Sequence, residues 1–256
     1  MRIVSYNVNG IRAAVRKGFL DWLKSDPADV ICLQEIKANE EDIDKLGITE
    51  AGYPYQYYFC AQKKGYSGVA ILSKIEPAKV IKGSGHEVSD SEGRILQVDF
   101  DKFRLINAYF PSGTSGVHRQ TYKYQWLKEF LDYLKKLKET HSQLVLCGDY
   151  NIAHKEIDIH NPAASKKTTG FLPEERAWFD AFLLNGFIDG FRHLNKDPYQ
   201  YTWWNVLRPQ TRIDNKGWRI DYINVTENMQ NKIVAVKIFP DVKHSDHCPI
   251  FLELKS

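Results

Sequence analysis

Apolar residues along the chain recur mostly in short runs of the length of a β-strand. These runs are rich in β-branched, aromatic and aliphatic residues, a pattern that predicts strands. The predicted strands cover residues 2–8, 30–34, 55–61, 68–73, 95–100, 104–110, 144–148, 219–226, 232–239 and 249–254. That number of strands is enough for two sheets.

A helical period follows the sixth predicted strand. Apolar residues recur there at intervals of four, four, four and three, and the opposite side is rich in lysine, which predicts an amphipathic helix. The apolar positions are Tyr122, Trp126, Phe130, Leu134 and Leu137. A second predicted helix contains Val15, Phe19, Trp22 and Leu23, and a third covers residues 174–185 after Pro173, a residue suited to a first helical turn.

The order of these elements decides the fold class. Many strands follow one another in the middle of the chain, whereas helices cluster after the first, second and sixth strands. This order predicts a layered α/β sandwich, in which two mixed β-sheets pack face to face and helices cover the outer faces. Because no low-complexity linker or repeat divides the sequence, we expect one domain over residues 1–256.

Composition excludes some classes of protein and leaves function open. The 35 lysines and arginines nearly balance the 32 aspartates and glutamates, which gives a net charge of +3. No apolar run approaches the roughly 20 residues of a membrane-spanning helix, so we expect no membrane association. The N-terminus lacks the layout of a signal peptide, which predicts an intracellular, cytoplasmic protein. The cysteines lack C-x-x-C spacing and are expected to be reduced core thiols; they are Cys32, Cys60, Cys147 and Cys248.

Several apolar strands adjoin amide or carboxylate side chains. Burying a carboxylate costs free energy unless it is paired or binds a cation, and converging carboxylates suit a hard divalent metal. An Asx turn or a helix cap would explain any one of these residues, but four such strand ends together favour a site. The residues are Asn7 and Asn9 after the first strand, Glu35 after the second, Asp149 and Asn151 after residues 144–148, and Asp246 and His247 before the last strand.

Six segments of the chain carry further information about function. They are residues 5–12 (SYNVNGIR), 33–37 (LQEIK), 65–70 (GYSGVA), 148–154 (GDYNIAH), 217–222 (GWRIDY) and 245–250 (SDHCPI). These segments resemble the successive signature segments of the exonuclease III family of abasic-site endonucleases. They occur in the order of that family, at its approximate spacing, and extend from residue 5 to residue 250.

This resemblance implies a fold, a cofactor and a reaction. The fold would be the four-layered α/β sandwich of the endonuclease/exonuclease/phosphatase superfamily, with a Mg²⁺ or Mn²⁺ site at one edge. The reaction would be hydrolysis of the phosphodiester 5′ to an abasic site in double-stranded DNA, with 3′-phosphodiesterase and 3′ to 5′ exonuclease activities. The residue types are consistent with this reaction. A metal ion and a few hydrogen-bond donors can neutralise a phosphodiester, activate water and assist the leaving oxygen. Nothing in the sequence requires more than a monomer.

The resemblance assigns candidate metal ligands and a candidate base. Glu35 would be the principal ligand, with other strand-end residues completing the shell directly or through water. Those residues are Asn7, Asn9 or Asp246, and the wider set implied by the motifs includes Asp149, Asn151 and His247. Asp149 would orient or deprotonate the attacking water, and Asn151 would hold the phosphate or that carboxylate. Asp149 and a hydroxide on the metal are both consistent with the sequence as the base.

Three more residues match catalytic positions of the family. His247 and Asp221 match its His-Asp dyad, in which the carboxylate raises the pKa of the histidine and favours a cationic donor to the phosphate. Tyr109 would donate its hydroxyl to the same phosphate or stabilise the departing oxygen. Without the resemblance, His247 would be interpreted as a structural histidine, and Tyr109 equally well as a core aromatic.

The resemblance also assigns DNA-binding residues. An abasic sugar has no base to read, so its recognition requires a small apolar pocket and phosphate contacts. Trp203 and Trp218 match the pocket-forming aromatics, with Leu207 closing the same pocket. Arg208 lies where family members insert a side chain into the duplex. The positions that match phosphate or channel contacts are Lys37, Lys63, Tyr66, Arg119, Tyr122 and Asn161.

The chain departs from the family pattern at a few positions. Asn9 stands where many relatives have Asp, which removes a negative charge from the metal shell. Ser112, Ser165 and Thr168 replace asparagines of the family. The changes at Ser165 and Thr168 fall in the predicted DNA channel, so we expect strand preference or product release to differ.

Two other functions share part of this pattern. A superfamily phosphatase or phosphodiesterase that acts on a small phosphorylated substrate would share the metal and His-Asp elements. The combination of Trp203, Arg208 and Trp218 favours DNA over a small headgroup. A non-catalytic DNA-binding module would be expected to have lost the catalytic carboxylates or histidine, and all of them are present.

Overall fold

The computed structural model describes residues 1–25 and 28–255 of the chain. In these residues the strands are β1 (Arg2–Asn7), β2 (Val30–Gln34), β3 (Tyr55–Phe59), β4 (Val69–Ser73), β5 (Lys79–Lys82), β6 (Ile95–Phe100), β7 (Phe103–Tyr109), β8 (Leu144–Asp149), β9 (Phe187–Asp189), β10 (Asp221–Thr226), β11 (Ile233–Ile238) and β12 (Ile250–Leu254). They form two six-stranded sheets, in the orders β11-β12-β1-β2-β4-β3 and β5-β6-β7-β8-β10-β9. Both sheets are mixed, because β1 with β2 and β7 with β8 are parallel and the neighbours are antiparallel.

Helices complete the layers of the fold. They are α1 (Ile11–Arg16), α2 (Phe19–Ser25), α3 (Glu40–Ile43), α4 (Glu87–Ser91), α5 (Val117–Thr140), α6 (Pro162–Ser165), α7 (Pro173–Leu184), α8 (Gly190–Leu194) and α9 (Gln210–Ile213). Apolar residues of α1 and α2 pack on the outer face of the first sheet, and those of α5 and α7 pack on the outer face of the second. The order of layers is therefore helix, sheet, sheet, helix.

Alternation along each strand divides its side chains between two cores. In β1, Ile3 lies between the two sheets and Val4 lies under α1 and α2. In β8, Val145 lies between the sheets and Leu146 lies under α5. Because neighbouring side chains of a strand point to opposite faces, both faces of these strands are buried. This explains why the strands appear in the sequence as continuous apolar runs.

The predicted fold class and all ten predicted strands are confirmed, with strand ends that differ by at most two residues. The short strands β5 and β9 were not predicted. β5 lies at the edge of its sheet with its two terminal lysines exposed, and β9 has only three residues. Neither strand is long or apolar enough to give a recognisable pattern.

The predicted helices are confirmed with one correction. α5 and α7 cover the predicted segments, and Trp126, Phe130 and Leu134 face the core as expected. The single helix predicted through Val15 and Leu23 is wrong, because α1 ends at Arg16 and α2 begins at Phe19. Gly18, with φ of 92°, has a left-handed backbone conformation that interrupts the helix.

The composition predicted no membrane-spanning helix and reduced cysteines in the core. Among the described residues, no helix combines the length and the apolar character needed to cross a bilayer. The cysteines are free thiols, of which Cys32, Cys147 and Cys248 are buried and Cys60 is half-buried. Three of the four therefore lie in the core as predicted.

A buried ion pair joins the two helices that cover the second sheet. The Lys123 ammonium of α5 lies 2.6 Å from the Glu175 carboxylate of α7, and both side chains are fully buried. Lys123 also donates to the backbone carbonyl of Asn151, at 2.8 Å. The second carboxylate oxygen of Glu175 accepts from the backbone N–H groups of Gly170 and Leu172. The pair thus connects α5 and α7 to two loops that follow β8.

We expect Glu175→Ala to destabilise the fold by about 3–5 kcal/mol, because it leaves the buried Lys123 charge without its partner. Urea unfolding followed by circular dichroism measures the change. The control is Asp132→Ala, which removes the exposed Lys135–Asp132 pair and should cost at most about 1 kcal/mol. Equal losses in the two variants would contradict this account of the buried pair.

Candidate active site

The candidate catalytic residues lie where strands of both sheets end at one edge of the sandwich. Asp149, the last residue of β8, is opposite Tyr109 of β7 and Asp221 of β10. In the first sheet, Asn7 is the last residue of β1 and Glu35 follows β2. The packing of the two sheets brings these strand ends together.

Asn9, Glu35 and Asn151 at this edge have left-handed backbone conformations. The φ angles are 44° at Asn9, 52° at Glu35 and 52° at Asn151, and each residue lies within two positions of a strand end. Such a conformation costs on the order of 1–3 kcal/mol and is concentrated at functional sites. The strain favours a functional interpretation of these residues over ordinary turns.

The Asn7 side chain joins the carboxylates of the two sheets. Its Nδ2 donates to Glu35 Oε1 at 2.9 Å and to Asp149 Oδ2 at 2.8 Å. Its Oδ1 accepts from the backbone N–H of Asn9 at 2.9 Å. With both ends of the amide engaged, Asn7 acts as a positioning donor in this arrangement, and direct ligation of a metal by Asn7 stays a prediction.

Asp149 has the environment of a general base. Its carboxylate is buried and accepts from the backbone N–H of Asn151 at 2.8 Å and from Asn151 Nδ2 at 3.4 Å. Burial raises the pKa of Asp149 to about 7, with His247 opposing the shift and the Asp221 and Glu35 carboxylates adding to it. A carboxylate with a pKa near neutrality can accept a proton at the pH of the cell.

His247 and Asp221 form the predicted dyad. His247 Nδ1 lies 2.9 Å from Asp221 Oδ2, and Nε2 lies 3.9 Å from Asp149 Oδ2. Burial alone would lower the pKa of His247, but the Asp221 carboxylate, followed by Asp149 and Asp246, raises it to about 10. A protonated imidazole has no lone pair for a metal, so this geometry favours the role of proton donor over that of metal ligand.

Tyr109 lies at the same edge with its ring under a guanidinium group. Arg94 is buried, its Cζ lies 4.8 Å from the centroid of the Tyr109 ring, and its Nη1 donates to the Tyr109 carbonyl at 2.9 Å. Burial, followed by the nearby Glu35 charge, raises the pKa of Tyr109 well above its usual value. Tyr109 therefore remains a phenol that can donate a hydrogen bond.

The oxygen atoms at this edge suit a divalent metal. One oxygen each of Glu35 and Asp149 and one ring nitrogen of His247 lie within 4.8 Å of one another, and the two oxygens stay available to a metal when His247 is protonated. The Lys37 ammonium lies 2.7 Å from Glu35 Oε2 and 2.6 Å from Asn9 Oδ1, so the oxygens of two candidate ligands already converge on a cation. Although burial opposes the shift, Lys37 lowers the pKa of Glu35 and keeps it ionised. The residues therefore fit a metal that prefers oxygen ligands.

Asp246 connects the acidic centre to an aromatic pocket. Its Oδ1 accepts from Asn9 Nδ2 at 2.9 Å, and its Oδ2 accepts from Trp203 Nε1 at 3.0 Å. The rings of Trp203 and Trp218 meet edge to face at 6.0 Å between centroids. A Cβ on Gly170 would lie 3.0 Å from the Trp218 ring, so the absence of a side chain there permits this close packing.

The acidic centre and the aromatic pocket open into one cleft of about 670 Å³. The predicted residues that line it are Glu35, Tyr109, Asp149, Asn151, Trp203, Arg208, Trp218, Asp246 and His247. Leu207 is 87% exposed and lies outside the lining, so the structure does not place it as the closure of the pocket. Trp204 is buried and packs with Tyr201 and Cys248, so the two adjacent tryptophans face different surroundings.

The predicted phosphate contacts fall into separate groups. Tyr66 and Arg119 both contact Glu92, and the Arg119 guanidinium lies 4.7 Å from the Tyr122 ring centroid. Lys63 lies 5.5 Å from the centroid of the Tyr66 ring. Lys37 is instead bound to Glu35 and Asn9, and the Asn161 side chain caps α6 by accepting from the Ala164 N–H.

Several residues of the site were missed in the sequence. Arg94 and Glu92 hold Tyr109, Tyr66 and Arg119 together, and Lys123 holds the Asn151 carbonyl. Lys123 was detectable, since it is a charged residue on the apolar face of the predicted helix. No comparable sequence signal indicates Glu92, whose predicted partners Tyr66 and Arg119 are 26 and 27 residues away and whose third partner, Arg94, was itself not predicted.

The buried carboxylates, the histidinium and the cation-binding oxygens define a site for metal-dependent hydrolysis of phosphate esters. The chain belongs to the Endonuclease/Exonuclease/phosphatase family, which it matches over residues 4–247. The nucleases of this family depend on a metal ion.

Relatives of the chain include enzymes that act on DNA. It is 42% identical over 254 residues to an exodeoxyribonuclease of Bacillus subtilis, covering 98% of each chain. It is 43% identical over 258 residues to the DNA repair nuclease APEX1 of Danio rerio, covering 99% of this chain and 82% of that one. Its fold matches the structure of an AP endonuclease from Archaeoglobus fulgidus with a TM-score of 0.89 and 29% identity over the whole of both chains.

The His247–Asp221 pair gives a prediction for pH dependence. The folded-state pKa of about 10 lies above the unfolded value of about 6.5, so protonated His247 stabilises the fold below about pH 6.5 and this contribution is lost as the pH rises through 10. We expect Asp221→Asn to lower the pKa of His247 so that it titrates near neutrality. NMR titration of the metal-free protein, with the resonance assigned by comparison with His247→Asn, measures the change.

The control for this titration is Asp180→Asn, which removes the carboxylate partner of His154 and leaves Asp221 in place. His247 should remain protonated between about pH 5 and 9 in the control and in the unaltered protein. Titration of His247 near its ordinary value in the unaltered protein would refute the predicted effect of Asp221.

Proposed function

We propose that this protein is a DNA-repair hydrolase that cleaves the phosphodiester 5′ to abasic sites in double-stranded DNA. The observation that carries the proposal is that the acidic centre and the Trp203–Trp218 pocket share one cleft. A reactive phosphate at the acidic centre would place the adjoining sugar within reach of the aromatic wall. The names of the Bacillus subtilis and Danio rerio relatives support a nuclease that acts on DNA.

The chemistry divides among residues of both sheets. A bound Mg²⁺, or Mn²⁺ in its place, would neutralise charge on the phosphate, and the residues that would hold it are Glu35 with Asn9, Asp149 or Asp246. Asp149 accepts the proton of the attacking water and is oriented by Asn7 and Asn151. His247 in its cationic form and the Tyr109 phenol donate hydrogen bonds to phosphate oxygens, where negative charge increases in the transition state.

The aromatic wall suits a sugar without a base. Trp203 and Trp218 pack against the buried residues Ala153, Ile159 and Phe171, so the core behind the wall is apolar. An abasic sugar has no base edge for hydrogen bonding, so its recognition depends on apolar contact of the sugar with this wall and on phosphate contacts. Arg208 at the rim adds a positive charge that favours the phosphate backbone.

We also propose 3′-phosphodiesterase and 3′ to 5′ exonuclease activities for the same site, because a terminal phosphate ester presents the same bond. Residues 1–256 would act as a single catalytic domain, since each sheet supplies part of the centre. The protein would work inside the cell. It would act as a monomer, because all proposed catalytic residues come from one chain.

The test is incision of a duplex that carries a tetrahydrofuran abasic analogue, with Mg²⁺, with Mn²⁺ and with a chelator. We expect metal-dependent cleavage on the 5′ side of the analogue. Asp149→Asn and Glu35→Ala should each lower the rate by at least about 100-fold, because they remove the base and the principal ligand. Asp132→Asn, on the exposed face of α5, is the matched control and should be fully active. Undiminished cleavage in the presence of chelator, or by the Asp149→Asn variant, would contradict the proposed site.

A second test separates DNA binding from chemistry. We expect Arg208→Ala to raise KM for the abasic duplex by about tenfold and to leave hydrolysis of bis(p-nitrophenyl) phosphate unchanged, because the small ester does not reach the rim. Lys136→Ala, an exposed lysine of α5 outside the cleft, controls for the lost charge. Equal losses on both substrates would mean that Arg208 supports the fold of the cleft rather than the contact with DNA.

A further inference from the structure

The Lys37 side chain contacts the acidic centre, whereas a lysine that binds only DNA phosphates would be exposed to solvent. Its ammonium lies 2.7 Å from Glu35 Oε2 and 2.6 Å from Asn9 Oδ1, and only 32% of its side chain is exposed. The other end of the Asn9 amide donates to Asp246 Oδ1. The ammonium therefore lies at the oxygens through which the candidate metal ligands would act.

The short chain segment before Lys37 explains this position. Glu35 and Lys37 both have left-handed backbones, with φ of 52° and 49°. The backbone N–H of Lys37 is fixed by the Ser67 carbonyl, and the Gly10 N–H is bonded to the Glu35 carbonyl. The two strained residues and their backbone bonds hold the carboxylate and the ammonium on the same side of the loop.

We propose that Lys37 is an internal cation that competes with the divalent metal for Glu35 and Asn9, and so sets the affinity of the site for metal. The inference rests on the proposed metal-dependent function. An ammonium and a divalent ion bound to the same carboxylate oxygens repel each other strongly at such short distances. Metal binding therefore requires the Lys37 side chain to leave these oxygens. The free energy needed to break its contacts makes the net free energy of metal binding less favourable.

The charges around Lys37 explain why the metal-free protein needs it. The carboxylates of Glu35, Asp149, Asp221 and Asp246 lie at this edge, and the cations among them are Lys37 and His247. Without Lys37, Glu35 would lose the cation that most favours its ionised form. Lys37 thus stabilises the site before the metal arrives and opposes the metal when it binds.

This double role makes the proposal distinguishable from a purely structural one. Loss of a structural lysine would lower both the stability of the protein and its affinity for metal. Loss of a competing cation lowers the stability of the metal-free protein and raises the affinity for metal. The two quantities are expected to move in opposite directions if Lys37 and the metal compete for the same oxygens, and in the same direction if Lys37 is purely structural.

The experiment is a titration of the metal-free protein with Mn²⁺ in the absence of DNA, followed by electron paramagnetic resonance of the free ion. We expect Lys37→Met to bind Mn²⁺ about tenfold more tightly, equivalent to about 1.4 kcal/mol. Its melting temperature should be lower without metal and should rise more on addition of Mn²⁺. Lys37→Gln should change in the same direction, and Lys37→Arg, which keeps the charge, should stay near the unaltered protein.

Lys82→Met is the matched control, because it breaks another Lys–Glu pair, with Glu40, whose side chains are both about half exposed. It should leave Mn²⁺ affinity unchanged. Equal or weaker Mn²⁺ binding by folded Lys37→Met and Lys37→Gln would overturn the proposal and leave the proposed nuclease intact, since no DNA is present. Absence of Mn²⁺ binding by the unaltered protein, together with incision in chelator, would overturn both.

Discussion

The structure depends on bringing carboxylates from two separate sheets within hydrogen-bonding distance of one amide nitrogen. Asn7 Nδ2 donates to Glu35, which follows β2 of the first sheet, and to Asp149, which ends β8 of the second. Like charges repel at this distance, so the contact exists only because the packed sheets and the Asn7 amide hold it. The core between the sheets therefore sets the spacing of the candidate catalytic groups as well as the stability of the fold.

Electrostatic balance at this edge follows from the same constraint. Burial favours the neutral, protonated form of the carboxylates, and the nearby cations favour their ionised form. His247 provides one positive charge from the side of the second sheet, and Lys37 provides another from the side of the first. The cations further from the centre are neutralised in a different way, since Arg119 and Arg94 share Glu92. Opposite charges thus lie beside each other in and around the site, in keeping with a net charge of only +3.

Much of this arrangement could be predicted from the sequence, because the signals are local. Apolar runs give the strands, and strand ends carry Asn7, Glu35 and Asp149 in recognisable motifs. Partner choice within the protein is not local, and the sequence does not indicate it. The contact of Lys37 with Glu35 was not predicted, and its expected contact with DNA stays a prediction. Nothing in the sequence near Tyr109 indicates the guanidinium of Arg94 over its ring. The break at Gly18 was missed because the apolar period continues through it.

The left-handed residues at the strand ends have a consequence for attempts to improve the protein. Glycine would relax the backbone at Asn9 or Asn151 at no steric cost, and would remove the amide that donates to Asp246 or to Asp149. A selection for thermal resistance alone would therefore not preserve these side chains, which the proposed reaction uses. At these positions, stability and the proposed activity place opposite demands on the residue type.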